Sequence, residues 1–191
     1  NIIEAGLFHR FDSTNVFKDN LATLIGVIHN DHYQWLENKS IDGVIYEKTE
    51  SLLNSNIFIN KQINNEIKEK IENSLKKNSS NKYFFGRDFN ISKSENGFIN
   101  YQDDIGEMIL PEPNILGDHQ LSNISTSIAT SRKIFNIKDK DIKKGIQNIS
   151  LKGRLQEIKS GNLKKITKSN RLIIDGGHNV SSSLVISEWI K

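Results

Sequence analysis

The sequence of 191 residues contains no cysteine. This absence excludes disulfide bonds, thiolate metal sites and a thiol nucleophile, so a bound metal would need oxygen or imidazole ligands. Such ligands favour magnesium or manganese over structural zinc. No apolar stretch approaches the roughly 20 residues of a membrane-spanning helix, and the N-terminus lacks a signal-peptide pattern. We therefore expect no membrane partner and a cytoplasmic location.

A strong excess of one charge is also missing. The chain has 26 basic and 23 acidic residues, and its lysines are scattered among asparagine and isoleucine instead of forming one basic face. Nucleic-acid binding therefore has no strong electrostatic support. Apolar residues make up 36% of the chain, which fits one or two globular domains with a sizeable core.

Apolar and charged segments alternate along the first half of the chain. Short apolar strands are predicted at residues 21–28, 57–60 and 83–85, with a charged helix at 64–77 before the third strand. This alternation predicts an α/β fold with a mostly parallel sheet and flanking helices. The apolar segments 98–101 and 105–110 flank two aspartates and predict a β-hairpin.

Two helices and a further strand are predicted in the second half. Small side chains between residues 125 and 129 would let a helix that begins at His119 pack closely, and Asp141 is the predicted N-cap of the next helix. A domain border is expected near residue 151. Beyond it, an apolar strand ends at Asp175, and an amphipathic helix begins near Val180. Open α/β sheets bind ligands at such carboxyl ends of strands.

Three separated clusters contain the residues best suited to chemistry. The first is Glu4 with the loop from Arg10 to Asn15, the second is Asp31-His32 together with Glu47-Lys48, and the third is Asp175-Gly176-Gly177-His178-Asn179. Their carboxylate, imidazole and amine groups suggest magnesium and nucleotide chemistry.

The order and local sequence of these clusters resemble the folylpolyglutamate synthase/dihydrofolate synthase family, a branch of the Mur ligase superfamily of ATP-dependent amide-forming enzymes. That family's motif Glu-Val-Gly-x-Gly-Gly-Arg-x-Asp-Ala-Thr-Asn stands here as Glu-Ala-Gly-Leu-Phe-His-Arg-Phe-Asp-Ser-Thr-Asn at residues 4–15, with Phe8 and His9 in place of two glycines. The resemblance implies a partial Mur ligase-type central ATPase domain over residues 1–150. Residues 151–191 would begin a Rossmann-like C-terminal domain.

The resemblance also implies a catalytic metal centre. Glu4 and His32 would bind magnesium, His32 being chosen over His29 because Asp-His-x-x-Trp-Leu matches the family. Lys48 stands where the family has a lysine that is carbamylated in many Mur-type ligases, and a carbamate on it would give a second magnesium ion an oxygen ligand. The alternatives are ordinary ones: a surface glutamate, a packed histidine and a solvated helix lysine.

Substrate and nucleotide residues are implied in the same way. The loop residues Arg10, Asp12, Ser13, Thr14 and Asn15 would contribute to the folate-substrate pocket, although the same residue types also form turns and helix caps. ATP would be bound by Asn123, Arg154 and Asp175, with His178 as a nearby candidate. Structurally, Asn123 could instead be a cap, Arg154 a linker ion pair and Asp175 a helix cap.

The implied reaction phosphorylates a substrate carboxylate with ATP, after which the amine of L-glutamate attacks the acyl phosphate. The substrates would be dihydropteroate or folate, L-glutamate and ATP, and we expect a monomer. The sequence also lacks the family's phosphate-binding loop, so we interpret it as an internal fragment that is inactive alone. Two alternatives remain open: a Mur ligase of cell-wall synthesis, and a non-catalytic nucleotide-binding remnant.

Overall fold

A computed structural model describes residues 1–17 and 19–191 and contains a three-stranded parallel sheet. Its strands are β1 (Ala22–Ile25), β2 (Asn56–Ile59) and β3 (Asn81–Phe84), with β2 in the centre. Helices α1 (Ile41–Thr49) and α2 (Asn65–Ser74) make the two crossover connections that parallel neighbours require. The predicted β/α layering is therefore confirmed, with β1 and α2 shorter than the sequence suggested.

Both crossover helices begin at side chains that accept a hydrogen bond from the first turn. Ser40 Oγ accepts from the Gly43 N–H at 3.2 Å, and Asn64 Oδ1 accepts from the Ile67 N–H at 2.9 Å. Such caps satisfy backbone donors that have no partner inside the helix. The helices then bury one apolar side each against the sheet, including Val44 on α1 and Ile71 on α2.

A second, antiparallel sheet follows in the chain. It consists of β4 (Phe89–Lys93), β5 (Ile99–Asp103) and β6 (Gly106–Leu110), in that order. The hairpin of β5 and β6 confirms the prediction at 98–101 and 105–110. Strand β4 was not predicted, because only Phe89 of its five residues is buried and a single apolar position gives no periodic signal.

Helices α3 (His119–Ile134) and α4 (Asp139–Gln147) pack on this sheet. The predicted start of α3 at His119 is confirmed, and its small buried residues Ser125 and Ala129 allow close contact with β1, β2 and β4. The predicted cap of α4 is wrong. Lys138 holds the N-cap position, and Asp141 lies in the first turn, where a carboxylate still interacts favourably with the helix dipole.

The central strand β2 is buried on both faces. Ile57 and Ile59 join the apolar cluster formed with α1 and α2, whereas Phe58 joins the cluster formed with α3, α4 and the antiparallel sheet. The Phe58 ring stacks on Tyr83 of β3 with 4.7 Å between the ring centroids. The parallel sheet therefore lies between two apolar cores, and β2 contributes fully buried side chains to both.

The last forty residues form β7 (Gln156–Glu157), α5 (Asn162–Thr167), β8 (Ile173–Ile174) and α6 (Val180–Ile190). The predicted start of α6 at Val180 is confirmed. The predicted strand up to Asp175 is only two residues long and pairs antiparallel with β7. Asp175 therefore does not follow a strand of a parallel sheet within the described residues. The domain border near residue 151 stays a prediction.

The start of the chain forms no regular element. Ile2 and Ile3 are exposed, and residues 1–5 have no regular secondary structure. A strand needs a hydrogen-bonded neighbour, and no strand of the described ranges 1–17 and 19–191 pairs with this segment. Over the same ranges, every helix is too short or too polar to cross a lipid bilayer.

Candidate active site

The loop after Gly6 is organised around the carboxylate of Asp12. Its Oδ2 accepts from the Gly6 N–H at 2.9 Å, and its Oδ1 accepts from both the Thr14 N–H and the Thr14 hydroxyl, at 2.9 and 2.5 Å. The hydrogen bonds from Thr14, followed by that from Gly6, lower the pKa of Asp12. Asp12 also caps the 3-10 helix Ser13–Val16, so the alternative of a helix cap is confirmed for this residue.

The same loop is attached to helix α1. The backbone N–H groups of His9 and Arg10 both donate to the Glu47 carbonyl, at 3.2 and 3.0 Å. The Arg10 guanidinium pairs with the Glu47 carboxylate at 3.1 Å and donates to the Tyr46 hydroxyl at 2.9 Å. Asn15 Nδ2 donates to the Arg10 carbonyl at 3.1 Å. Four predicted substrate residues, Arg10, Asp12, Thr14 and Asn15, thus shape the loop from within.

An open groove of about 650 Å³ lies beside this loop. The Arg10 guanidinium stands at its edge, 4.3 Å from the ring centroid of Phe11 and 4.9 Å from that of Tyr46. Two of its aromatic side chains face solvent, Phe11 with 84% and Trp35 with 69% of their surface exposed. Among the predicted substrate residues, Arg10 and Asp12 line the groove. Ser13 is exposed.

Asp31 and His32 lie in the loop after β1, at the carboxyl end of the parallel sheet. His32 adopts the left-handed backbone conformation, with φ of 63°, and begins the short 3-10 helix Tyr33–Trp35. Asp31 Oδ1 accepts from the His32 N–H at 2.9 Å, and Asp31 Oδ2 lies 3.7 Å from His32 Nε2. The carboxylate and the imidazole are therefore adjacent.

Lys48 points from α1 toward the same place. Its ammonium donates to the Leu7 carbonyl at 3.2 Å and lies 5.6 Å from the Phe8 ring centroid, and the Phe8 ring meets that of His32 edge-on with 6.2 Å between centroids. Burial lowers the pKa of Lys48, and the negative charge of Asp31 opposes that shift. Lys48 is therefore partly buried beside a carboxylate and is not a fully solvated helix lysine.

The predicted ligands do not all meet. His32 and Lys48 both lie against Phe8, whereas Glu4 is exposed. Among residues 1–17 and 19–191, no three histidine, aspartate or glutamate side chains form a group that could hold a metal ion. An unmodified lysine has no lone pair to offer while it is protonated. The donors in place thus do not by themselves fit a divalent cation, and the ligand set Glu4, His32 and Lys48 stays a prediction.

A chain of side-chain hydrogen bonds runs from β2 to the start of α3. Asn60 Nδ2 donates to Asn123 Oδ1 at 2.8 Å, and Asn123 Nδ2 donates to Gln120 Oε1 at 3.0 Å. Gln120 Nε2 lies 2.9 Å from His119 Nε2. Asn123 is inside α3 and is not its cap, because Asp118 precedes the helix. The Asn123 amide is thus held at the end of β2 with a fixed orientation.

Asp175 joins two loops of the last forty residues. Its Oδ2 accepts from the Leu155 N–H at 2.7 Å and its Oδ1 from the Gly177 N–H at 2.6 Å. The alternative of a helix cap is wrong for Asp175, because Asn179 caps α6. The Arg154 guanidinium lies beside Gly176, where an added Cβ would be 3.0 Å from its Nη1.

His119 lies near this second group. Burial lowers the pKa of His119, an effect that Asp175 and Asp118 oppose and Arg154 supports, so His119, at the start of the helix that holds Asn123, lies near two of the candidate nucleotide residues. The buried Nδ1 of His119 has no hydrogen-bond partner among residues 1–17 and 19–191. His178 Nδ1 lies 2.9 Å from the Gly176 carbonyl oxygen.

Sequence reasoning missed several residues of this site. Gln62 is buried and ties the strand ends together, since its Oε1 accepts from the Ile28 N–H and its Nε2 donates to the Gly26 and Asn60 carbonyls. Asn60 and Gln62 follow the apolar strand β2 directly, and polar residues at that position are a usable signal. Phe8 carries no such signal, and Asn179 stands in the third sequence cluster but was given no role of its own, because only the folded chain brings these two residues to the centre.

Comparison with known proteins gives a consistent result. The probable dihydrofolate synthetase of Schizosaccharomyces pombe is 23% identical over 201 residues, which cover 99% of this chain and 44% of the relative. The apo form of the L. casei FPGS aligns with a TM-score of 0.81 and 20% identity, covering 98% of this chain and 46% of that one. The chain has the fold of folylpolyglutamate synthases. The α/β fold class predicted from the sequence, of the Mur ligase type, is therefore confirmed.

A further structure with this fold carries ligands. It is the bifunctional folylpolyglutamate synthase/dihydrofolate synthase of Yersinia pestis complexed with AMPPNP and a manganese ion, which aligns with a TM-score of 0.78 and 22% identity. The alignment covers 96% of this chain and 41% of that one. No protein-family model matches the chain. The chain thus spans less than half the length of these three folylpolyglutamate and dihydrofolate synthase relatives.

Proposed function

We propose that this chain belongs to an ATP-dependent ligase that joins L-glutamate to dihydropteroate or to folate. One observation carries the proposal: Asp31 and His32 after β1, Lys48 on α1 and the segment from Asp175 to Asn179 converge at the carboxyl end of a parallel sheet. Ligands of α/β proteins bind at this edge. The folylpolyglutamate synthase fold and the dihydrofolate synthetase relative support the choice of reaction class.

In this proposal the nucleotide is held by Asn123, Arg154 and Asp175. The fit rests on the fixed amide of Asn123, the guanidinium of Arg154 and the buried Nδ1 of His119, for which the described part of the chain offers no hydrogen-bond partner. An amide can recognise a base edge, and a guanidinium offsets phosphate charge. ATP supplies the phosphoryl group that activates the acceptor carboxylate. His178 remains a candidate at the same edge.

The acceptor substrate is assigned to the groove between the Arg10 loop and α1. Exposed Phe11 and Trp35 offer flat apolar faces to an aromatic heterocycle, and half-buried Asp12 offers a carboxylate whose pKa is lowered by its hydrogen bonds from Thr14 and Gly6. Arg10 is already paired with Glu47, so its main role is to hold the loop on α1. A small-molecule acceptor with a pterin-like ring suits this lining.

The role of Lys48 follows from its burial. Its lowered pKa increases the fraction of neutral amine, which is the form that adds carbon dioxide to give a carbamate. A carbamate would convert the Lys48 side chain from a cation into an oxygen ligand for a metal ion. With ¹³C-bicarbonate, a carbamate carbon signal is expected from the wild-type protein, and none from Lys48→Met.

The test of the proposed function uses the full-length gene product with ATP and L-glutamate. Phosphate release that depends on dihydropteroate or folate is expected, and a strong loss of that rate is expected in His32→Ala and Lys48→Met. Lys77→Met, at an exposed lysine after α2, is the matched control and should keep the rate. Full-length protein that releases no phosphate with either acceptor contradicts the proposal.

Two competing functions have their own outcomes in this assay. Phosphate release with a UDP-sugar acceptor alone would support a Mur ligase of cell-wall synthesis. Nucleotide binding without turnover of any acceptor would support a non-catalytic remnant.

We also propose magnesium as the cation, with two ions in the complete centre, and a monomer in the cytoplasm. Titration with magnesium and manganese and the measured molecular mass test the ion and the monomer.

A further inference from the structure

The amide of Asn179 makes two kinds of contact at once. Its Oδ1 caps α6 by accepting from the Ser182 N–H and from the Ser182 hydroxyl, both at 2.9 Å. Its Nδ2 donates to Asp31 Oδ2 at 2.7 Å, across 148 positions of sequence. Asparagine is suited to this position because a cap needs only an acceptor, whereas the bond to a carboxylate needs a donor.

Asp31 is the charged group at the middle of the candidate centre. Its Oδ1 is fixed by the His32 N–H, its Oδ2 lies near His32 Nε2, and its charge acts on Lys48. Burial alone would raise the pKa of Asp31, but the hydrogen bonds from Asn179 and the His32 N–H, with the nearby His32 and His178, lower it. The orientation of this carboxylate therefore depends on a residue of the last forty.

The geometry points to Asn179 as a positioning residue for the Asp31, His32 and Lys48 centre. Its hydrogen bond fixes the Asp31 carboxylate against His32, and the cap ties that bond to the start of α6. Asp175 and His178 lie in the same short segment, so a ligand that orders residues 175–179 also orders Asp31. The kinetic part of this inference rests on the proposed function, whereas its structural part does not.

The key variant is Asn179→Asp. An aspartate still caps α6 but cannot donate, and it places a second carboxylate beside Asp31. Asn64→Asp is the matched control, because Asn64 caps α2 in the same way, through Ile67 N–H, without contacting Asp31. Asn179→Ser is a second test variant that also keeps a cap and is too short to bridge to Asp31. It replaces Asn179→Asp if the added charge prevents folding.

Amide hydrogen exchange of the full-length gene product tests the hydrogen bond between Asn179 and Asp31 independently of any enzymatic activity. Faster exchange at residues 29–35 is expected in Asn179→Asp and not in Asn64→Asp. The double variant Asp31→Asn/Asn179→Asp exchanges donor and acceptor, so it should restore slow exchange at 29–35. The inference would be overturned if Asn179→Asp left the exchange rate at residues 29–35 unchanged. It would also be overturned if these residues exchanged no more slowly in the double variant than in Asn179→Asp.

Steady-state kinetics then tests the effect on the reaction. The kcat of Asn179→Asp is expected to fall about 10- to 100-fold, as for partners that orient the side chains of an active centre, with a smaller change in KM for the acceptor. Equal losses in Asn179→Asp and Asn64→Asp would reduce Asn179 to a cap and contradict the proposal. If the wild type shows no ligation, the proposed function fails, and the exchange experiment still decides whether Asn179 positions Asp31.

Discussion

The ion pair between Arg132 on α3 and Asp103 on β5 gives the sharpest stability prediction. Arg132 Nη1 lies 3.1 Å from Asp103 Oδ1, and the two side chains are only 8% and 3% exposed. Nη1 also donates to the Gly106 carbonyl at 3.2 Å. Asp103 further accepts from the Tyr101 hydroxyl and from two N–H groups of the hairpin turn. The pair therefore joins the β5–β6 turn to α3 in a place that water barely reaches.

Arg132→Met keeps most of the side-chain volume but leaves the Asp103 charge buried without its cation. Breaking a buried pair in this way costs about 3–5 kcal/mol. Because three other donors still contact Asp103, we expect a loss near the lower end, about 3 kcal/mol in the free energy of unfolding. Urea unfolding followed by circular dichroism measures this loss.

The neighbouring Lys133 provides the matched control. Lys133 follows Arg132 in α3 and pairs with Asp104, which follows Asp103 in the hairpin turn, but the Asp104 side chain is 63% exposed. Exposed pairs contribute about 0–1 kcal/mol, so Lys133→Met should change stability by no more than that. Similar losses in the two variants would refute the reasoning from burial. The double variant Asp103→Asn/Arg132→Met should lose less than the sum of its single changes, because neither charge is then left alone.

Three further predictions follow from single residues. Gly43→Ala in α1 should lower the thermal unfolding midpoint, because the added Cβ would lie 2.1 Å from the Asn38 carbonyl oxygen. Its control is Gly145→Ala in α4, where an added Cβ meets nothing within 4 Å and should raise the free energy of unfolding by about 0.5–1 kcal/mol. Burial lowers the pKa of His119, an effect that Asp175 and Asp118 oppose and Arg154 supports. The unfolded histidine therefore gains its proton first, and the free energy of unfolding should fall as pH drops below about 6.5. Urea unfolding midpoints measured at several pH values should show a smaller fall in His119→Gln than in the wild type. Hydrogen bonds from Thr14 and Gly6 lower the pKa of Asp12. Amide hydrogen exchange of residues 6–14 should therefore accelerate only when the pH falls below the ordinary pKa of aspartate. Thr14→Val removes the hydroxyl donor and should shift that acceleration to higher pH.

Local sequence patterns were enough for the elements with a regular period or a turn. The β5–β6 hairpin, the start of α3 at His119 and the start of α6 at Val180 were all predicted, because each has a local signal in a few neighbouring residues. Strand β4 and the two-residue strand β7 were missed, since short segments with little burial have no periodicity to detect. The N-cap of α4 was misplaced because Lys138 holds it without a side-chain bond.

The candidate site was only partly predictable for a different reason. His32 and Lys48 stand in recognisable local patterns, and the structure places both against Phe8. Phe8 itself stands where the related family has glycine, so the pattern marked it as a departure and gave no role. The contact between Asp31 and Asn179 spans 148 positions, and no local pattern carries that information.

The double burial of β2 has a consequence for how the chain unfolds. Ile57 and Ile59 face one core and Phe58 faces the other, so neither core can open without exposing an apolar side of the same strand. The backbone of this strand is also hydrogen-bonded to both β1 and β3. Its partner residues lie 34 positions earlier in the chain on β1 and 25 positions later on β3. Protection of these amides thus requires all three segments together, and their exchange should report the cooperative, global unfolding of the molecule.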